Sequence, residues 1–221
     1  MAELSPAILT NDVSDFRKQY AELLPLSQYY GKLHVDFADG QFVRTQTVMP
    51  ADVAFLQSNR IPAMAHLMVQ DPVRYFEDCR RAGFAYVLFH FEAFLTPDEV
   101  STALSRAEQL GLIAGLALGP DTPLTKIAKF IPQFKLIQIM SIQPGAQGRE
   151  FILGTFDKVT ELRSLSKSVI ICVDGGIKVG IAGQLARTGA DILVVGSAIS
   201  RSEDEGMALE ALKLDLETYA T

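Results

Sequence analysis

Ile170-Ile171-Cys172-Val173-Asp174-Gly175-Gly176 is a short apolar run that stops on an aspartate and a pair of glycines. Leu33-His34-Val35-Asp36 has the same form, with a histidine two residues before the aspartate. A third run, Ala65-His66-Leu67-Met68, carries its histidine at the corresponding place. Side chains two apart on a strand point to one face, so His34 and Asp36 project the same way. Three runs that each end in a polar, chemically competent side chain describe strands converging on one rim.

Working outward, short apolar runs alternate with longer amphipathic segments along the whole chain. The pattern predicts strands at Ala7–Leu9, Lys32–Phe37, Pro62–His66, Tyr86–His90, Ile113–Leu118, Leu136–Met140, Val169–Val173 and Ile192–Val195. Helical spacing recurs over Pro97–Leu110 and Phe151–Leu165. Another helix is expected to begin at Asp71-Pro72, with the aspartate as cap and the proline in the first turn. Ala82-Gly83, Leu110-Gly111 and Thr188-Gly189 fit helix ends that close on a left-handed glycine.

Strands alternating with helices fit either a closed (β/α)8 barrel or an open doubly wound sheet. The strand count and the 221-residue length favour an α/β TIM barrel forming a single domain over residues 1–221. The polar residues agree with that choice. His34, Asp36, His66, His90, Met140-Ser141, Asp174 and Gly196-Ser197 all lie at or just past C-terminal strand ends, the rim where barrel active sites are built.

Two histidines and two aspartates form the first constellation: His34, Asp36, His66 and Asp174. A single histidine beside a strand is more simply a satisfied polar residue, and Asp174-Gly175-Gly176 or Asp39-Gly40 taken alone is more simply a turn. Together on one rim they make a mixed nitrogen and oxygen donor set suited to one divalent metal ion, with zinc, iron(II) and manganese(II) all open. They also supply two carboxylates that can work on opposite sides of one carbon. His90 reads as a packing or supporting residue, and Asp39 as a turn residue able to orient a ligand.

The second constellation is made of glycines. Pro144-Gly145-Ala146-Gln147-Gly148 follows strand 6, Gly175-Gly176 follows strand 7, and Gly196-Ser197 follows strand 8. Glycine lets backbone N–H groups approach an anion, and the late loops of barrels often hold a phosphate. Arg149 could add charge. Met68 and Met140 near the same rim read as core or as an apolar lining that excludes water from a reactive intermediate.

Other readings exclude function classes. No lysine ends a strand on this rim, which speaks against a Schiff-base aldolase. Ala7-Ile8-Leu9-Thr10-Asn11-Asp12 contains no glycine, so a dinucleotide fingerprint after strand 1 is lacking. The net charge of −6 and scattered Lys and Arg argue against a nucleic-acid surface, and no apolar run approaches the roughly 20 residues that span a bilayer. Cys79 and Cys172 read as two reduced packing cysteines in a cytoplasmic protein. Met1-Ala2-Glu3-Leu4-Ser5-Pro6 does not read as a signal peptide.

His34-Val35-Asp36 with Asp39-Gly40, His66-Leu67-Met68-Val69, Met140-Ser141 with Pro144-Gly145, and Val173-Asp174-Gly175-Gly176 carry a resemblance. Through them, and over most of its length, the chain resembles the ribulose-phosphate 3-epimerases of the ribulose-phosphate-binding barrel group. The resemblance implies one metal held by His34, Asp36, His66 and Asp174. It implies Asp36 as proton acceptor and Asp174 as donor in a two-base 3-epimerisation of D-ribulose 5-phosphate and D-xylulose 5-phosphate. Phosphate and substrate contacts would fall on His66, Gly145, Ala146, Gln147, Gly148, Gly175, Gly176, Gly196 and Ser197, with Met68 and Met140 lining the site.

The chain departs from the family pattern at Ala7, Ala38, Val43–Pro50 and Ala146–Arg149. Those departures keep open a second ketose phosphate, such as a hexulose 6-phosphate, and a non-catalytic phosphosugar-binding barrel. The expected partner is a small phosphorylated ketose, with neither nucleic acid nor membrane. A homo-oligomer is expected too, with Phe91, Phe94 and Leu95 as either a contact patch or a cover over the site.

Overall fold

The computed structural model describes residues 2–53, 61–145 and 148–218. Eight parallel strands close into a barrel in sequence order: β1 Glu3–Ile8, β2 Leu33–Ala38, β3 Ala63–Met68, β4 Tyr86–His90, β5 Ile113–Leu118, β6 Leu136–Met140, β7 Ile170–Asp174 and β8 Ile192–Val195. Outside them lie the helices α1 Val13–Leu23, α2 Phe76–Ala82, α3 Pro97–Gln109, α4 Thr155–Leu165, α5 Ile181–Thr188, α6 Ser197–Ser200 and α7 Glu205–Thr218. The closed barrel is the expected architecture, and the open sheet is excluded by the pairing of β1 with β8.

Strand parity sorts the side chains. Leu33, Val35 and Phe37 on β2 and Ala65 and Leu67 on β3 join the large outer core between strands and helices. The opposite parity points into the barrel. There Met64, Leu88, Leu136, Cys172, Ile192 and Val194, with Ala7, fill the interior as a separate apolar cluster. Gly115 on β5 permits this packing: a Cβ there would lie 2.7 Å from a Leu88 methyl and 2.9 Å from one of Leu136. The barrel interior is thus filled by an apolar plug.

Several element boundaries differ from expectation. β1 begins at Glu3, although Pro6 lies within it. A proline is tolerated because β1 matches β2 only at Ala7 and Ile8, so little ladder is lost on that side. Asp71 does not cap a helix. A 3-10 turn, Pro72–Tyr75, comes first and regular helix starts only at Phe76. α4 starts at Thr155, four residues late, because Ile152 turns back to donate its N–H to the Ser141 carbonyl at 2.8 Å. The glycine stops behave as expected, with left-handed Gly83 after α2 and Gly189 after α5.

Candidate active site

β2, β3 and β7 bring the four candidate ligands together. Asp36 and His66 are partners across the β2–β3 ladder, and Asp174 is the partner of Met140 across β6–β7. One donor atom from each of His34, Asp36, His66 and Asp174 falls in a set whose members all lie within 4.8 Å of one another, and all four residues are buried. Asp36 Oδ1 lies 2.7 Å from His66 Nδ1 and 3.2 Å from His34 Nε2. Asp174 Oδ2 lies 3.5 Å from His66 Nδ1 and 3.6 Å from His34 Nε2.

The electrostatics separate the two carboxylates. Burial opposes ionisation of Asp36, but hydrogen bonds and charge from His34 and His66 outweigh it and hold its pKa well below the usual carboxylate range. Asp174 is pushed up to about 6, by burial first and by the neighbouring Asp36 charge, against the pull of the two histidines. Burial pulls the His34 pKa down, and its bond to Asp36 with both aspartate charges more than restores it.

The donor set fits a divalent ion on the chemistry of these atoms. Two imidazole nitrogens and two carboxylates gathered with less than 10% of any residue exposed would be costly to keep together without a cation between them. His34 Nδ1 is also buried without a hydrogen-bond partner among the described residues. Its other ring nitrogen, Nε2, faces both carboxylates.

Above the donors opens a cleft. Its walls include Ala7, Asp36, Met68, Met140, Gly145, Gly148, Asp174, Gly175, Gly176, Gly196 and Ser197. The expected phosphate-loop residues therefore share one cavity with both aspartates and both methionines. His34 and His66 lie beneath it, and Ala146 and Gln147 fall outside the described residues. Arg149 does not line this cleft; it lines a neighbouring one with Lys178 and Arg201.

The glycines are needed where they stand. Gly175 has φ +115, and a Cβ there would lie 2.3 Å from Ile142 Cγ1. Ser141 fixes this corner: its hydroxyl donates to the carbonyls of Asp174 at 2.9 Å and Gly175 at 2.6 Å. The loop after β2 closes over the other side, where the Thr45 hydroxyl donates to the Gly145 carbonyl. Asp39 serves this loop. It accepts from the N–H groups of Gln41, Phe42 and Gln70, which ties it to the loop after β3.

Two supporting residues were not assigned from the sequence. Gln138 is fully buried on β6 and its amide donates to Asp174 Oδ2 at 3.2 Å. A lone amide within Leu136-Ile137-Gln138-Ile139-Met140, on the parity of Met140, was the available signal. Glu92, just past β4, holds His90, which in turn touches His66. Phe91 and Phe94 pack against the outer core and leave only Leu95 of that trio exposed, so they do not cover the cleft.

Comparison with known proteins agrees with these features. The profile of the Ribulose-phosphate 3 epimerase family matches residues 3–200. A ribulose-phosphate 3-epimerase of Schizosaccharomyces pombe is 30% identical over 216 residues, covering 96% of this chain and 92% of its own. One from Escherichia coli is 32% identical over 219 residues, covering 96% and 95%. Among solved structures, the 3-hexulose-6-phosphate synthase of Salmonella typhimurium superposes with a TM-score of 0.74 at 15% identity, covering 98% of this chain and 99% of that one. KGPDC from Streptococcus mutans does so with a TM-score of 0.78 at 12% identity, covering 100% and 99%. At such identities the structural likeness speaks for the fold alone.

Proposed function

The chain belongs to the ribulose-phosphate 3-epimerase family, and on that footing we propose that it interconverts D-ribulose 5-phosphate and D-xylulose 5-phosphate. One observation carries the reading: two carboxylates and two imidazoles converge beneath a cleft walled by glycine loops. The proton on C3 of a ketose phosphate is α to the C2 carbonyl and too weakly acidic for a free carboxylate. His34, Asp36, His66 and Asp174 would hold a divalent ion, which would supply Lewis acidity to offset the negative charge left when that proton departs.

The chain's own groups do the rest. Asp36, kept ionised by His34 and His66, takes the C3 proton. Asp174 returns a proton on the opposite face, and the roles exchange in the reverse direction. Gln138 donates to Asp174 Oδ2 and steadies that carboxyl. Met68 and Met140 line the cleft beside both aspartates and keep water from the intermediate. The backbone at Gly145, Gly148, Gly175, Gly176 and Gly196-Ser197 holds the phosphate, which sets C3 between the carboxylates.

A second reading keeps the chemistry and changes the sugar. Ala7 lines the cleft with a methyl group and brings no hydroxyl to it, which favours a substrate differing at that end, such as a hexulose 6-phosphate. A substrate panel decides between them. Zinc- or manganese-loaded protein is offered ribulose 5-phosphate and a 3-hexulose 6-phosphate, and epimer formation is followed. Turnover of the pentulose alone is expected; turnover of the hexulose alone moves the substrate, and turnover of neither refutes the epimerase reading.

A further inference from the structure

Behind the four donors a chain of hydrogen bonds that the proton chemistry does not use runs from the buried His66 and His90 out to the partly exposed Glu92. His66 Nε2 lies 2.9 Å from His90 Nε2, and His90 Nδ1 lies 3.3 Å from Glu92 Oε2. Both histidines are fully buried. Glu92 is anchored in turn, because its other oxygen accepts from the Gly119 N–H at 2.8 Å and from the Thr122 hydroxyl. Burial opposes its ionisation, yet the bonds from His90 and Thr122 bring its pKa down to about 2.

The hydrogens along this chain follow from one fact: a carboxylate only accepts. The His90 nitrogen facing Glu92 must therefore carry hydrogen. A neutral His90 then presents a bare Nε2 to His66, so the proton in the 2.9 Å contact belongs to His66 Nε2. With a metal ion between His66 and the carboxylates, in place of the hydrogen that otherwise joins Nδ1 to Asp36 at 2.7 Å, that leaves the lone pair of His66 on Nδ1 facing the ion. The reverse arrangement would put a lone pair of His90 against Glu92 and a hydrogen on the nitrogen that has to coordinate.

We propose that His90 and Glu92 are positioning residues that lock His66 in the tautomer with Nδ1 free to bind the metal ion. The inference rests on the metal centre described above and extends it to the loops after β4 and β5. A histidine ligand oriented by a carboxylate gains affinity for its metal, typically 10–100-fold. The relay here does so through an intervening imidazole, so Glu92 acts on the metal only by way of His90.

The test is zinc affinity, measured by competition with a chelating dye on the whole protein, together with 15N NMR of His66. His90→Leu is expected to weaken zinc binding by about 10–100-fold, Glu92→Leu by less, and His90→Gln, which keeps an acceptor for His66, to bind within a few-fold of wild type. In the His90→Leu background, adding Glu92→Leu is expected to cost nothing further. The NMR spectrum of the zinc-loaded protein is expected to show hydrogen on Nε2 of His66. Unchanged affinity in folded His90→Leu, additive losses in the double variant, or hydrogen on Nδ1 would each overturn the relay while leaving the metal centre standing. Wild-type protein that takes up no zinc would overturn the centre itself and the relay with it.

Discussion

The two halves of the candidate site are built by different means. The donor half is made of side chains fixed on strands: His34 and Asp36 on β2, His66 on β3 and Asp174 on β7, all buried above a solid apolar interior. The half proposed to hold phosphate is made of backbone on loops, at Gly145, Gly148, Gly175-Gly176 and Gly196-Ser197, which line the cleft. Side chains on strands can be replaced only by residues of the same chemistry, whereas a backbone cradle depends on shape and φ. Substitutions should therefore damage the first half in catalysis and metal retention, and the second in substrate affinity.

The sharpest way to break this contrast is at the carboxylates. Asp36→Asn and Asp174→Asn are each expected to lower kcat by at least 10²–10⁴-fold, the usual worth of a positioned acid or base, in barrels that still melt cooperatively. A variant retaining near-normal kcat refutes the two-base assignment. Removing metal with a chelator is expected to abolish turnover and leave the barrel's circular dichroism intact, with activity returning on addition of zinc or manganese. Activity that persists in metal-free protein would separate the donors from the reaction.

The cradle should fail differently. Gly175→Ala forces a Cβ to within 2.3 Å of Ile142 at a φ of +115, and so should raise KM about tenfold or more, with zinc affinity held within twofold. Equal losses in KM and metal affinity would mean that the two halves are one mechanical unit.

A smaller effect tests the far edge of the donor half. The pKa of Glu92 is lowered to about 2 from its ordinary 4.5, so its ionised form stabilises the fold above pH 4.5, and that contribution is lost as pH falls toward 2. Glu92 is partly exposed, which keeps the effect small. Metal-free wild type should lose more thermal stability than Glu92→Gln between pH 4.5 and 2.5, and parallel losses would refute the ionised pairing with His90.

The same contrast explains what could be read from the sequence. His34, Asp36, His66 and Asp174 were legible because strand parity and strand ends alone put them on one rim. The glycine loops were legible as glycines after strands 6, 7 and 8, but their depth and the closure of Thr45 onto Gly145 depend on a contact across 100 residues of chain. Gln138 and Glu92 were not assigned, since a polar residue gains its role from a partner on another strand or loop. β1 begins at Glu3, before the expected Ala7–Leu9 run, and the sparse pairing with β2 shows why Pro6 is tolerated within it. The Asp71 cap was misread because Asp-Pro describes a 3-10 start as well as a helical one.

The central claim is that this metal centre moves the C3 proton of ribulose 5-phosphate. Metal-loaded protein in D2O, given ribulose 5-phosphate and followed by NMR, tests it directly. The account predicts loss of the C3 proton signal with xylulose 5-phosphate appearing in step, and no exchange at other carbons. A C3 proton that persists beside fully loaded metal would contradict it.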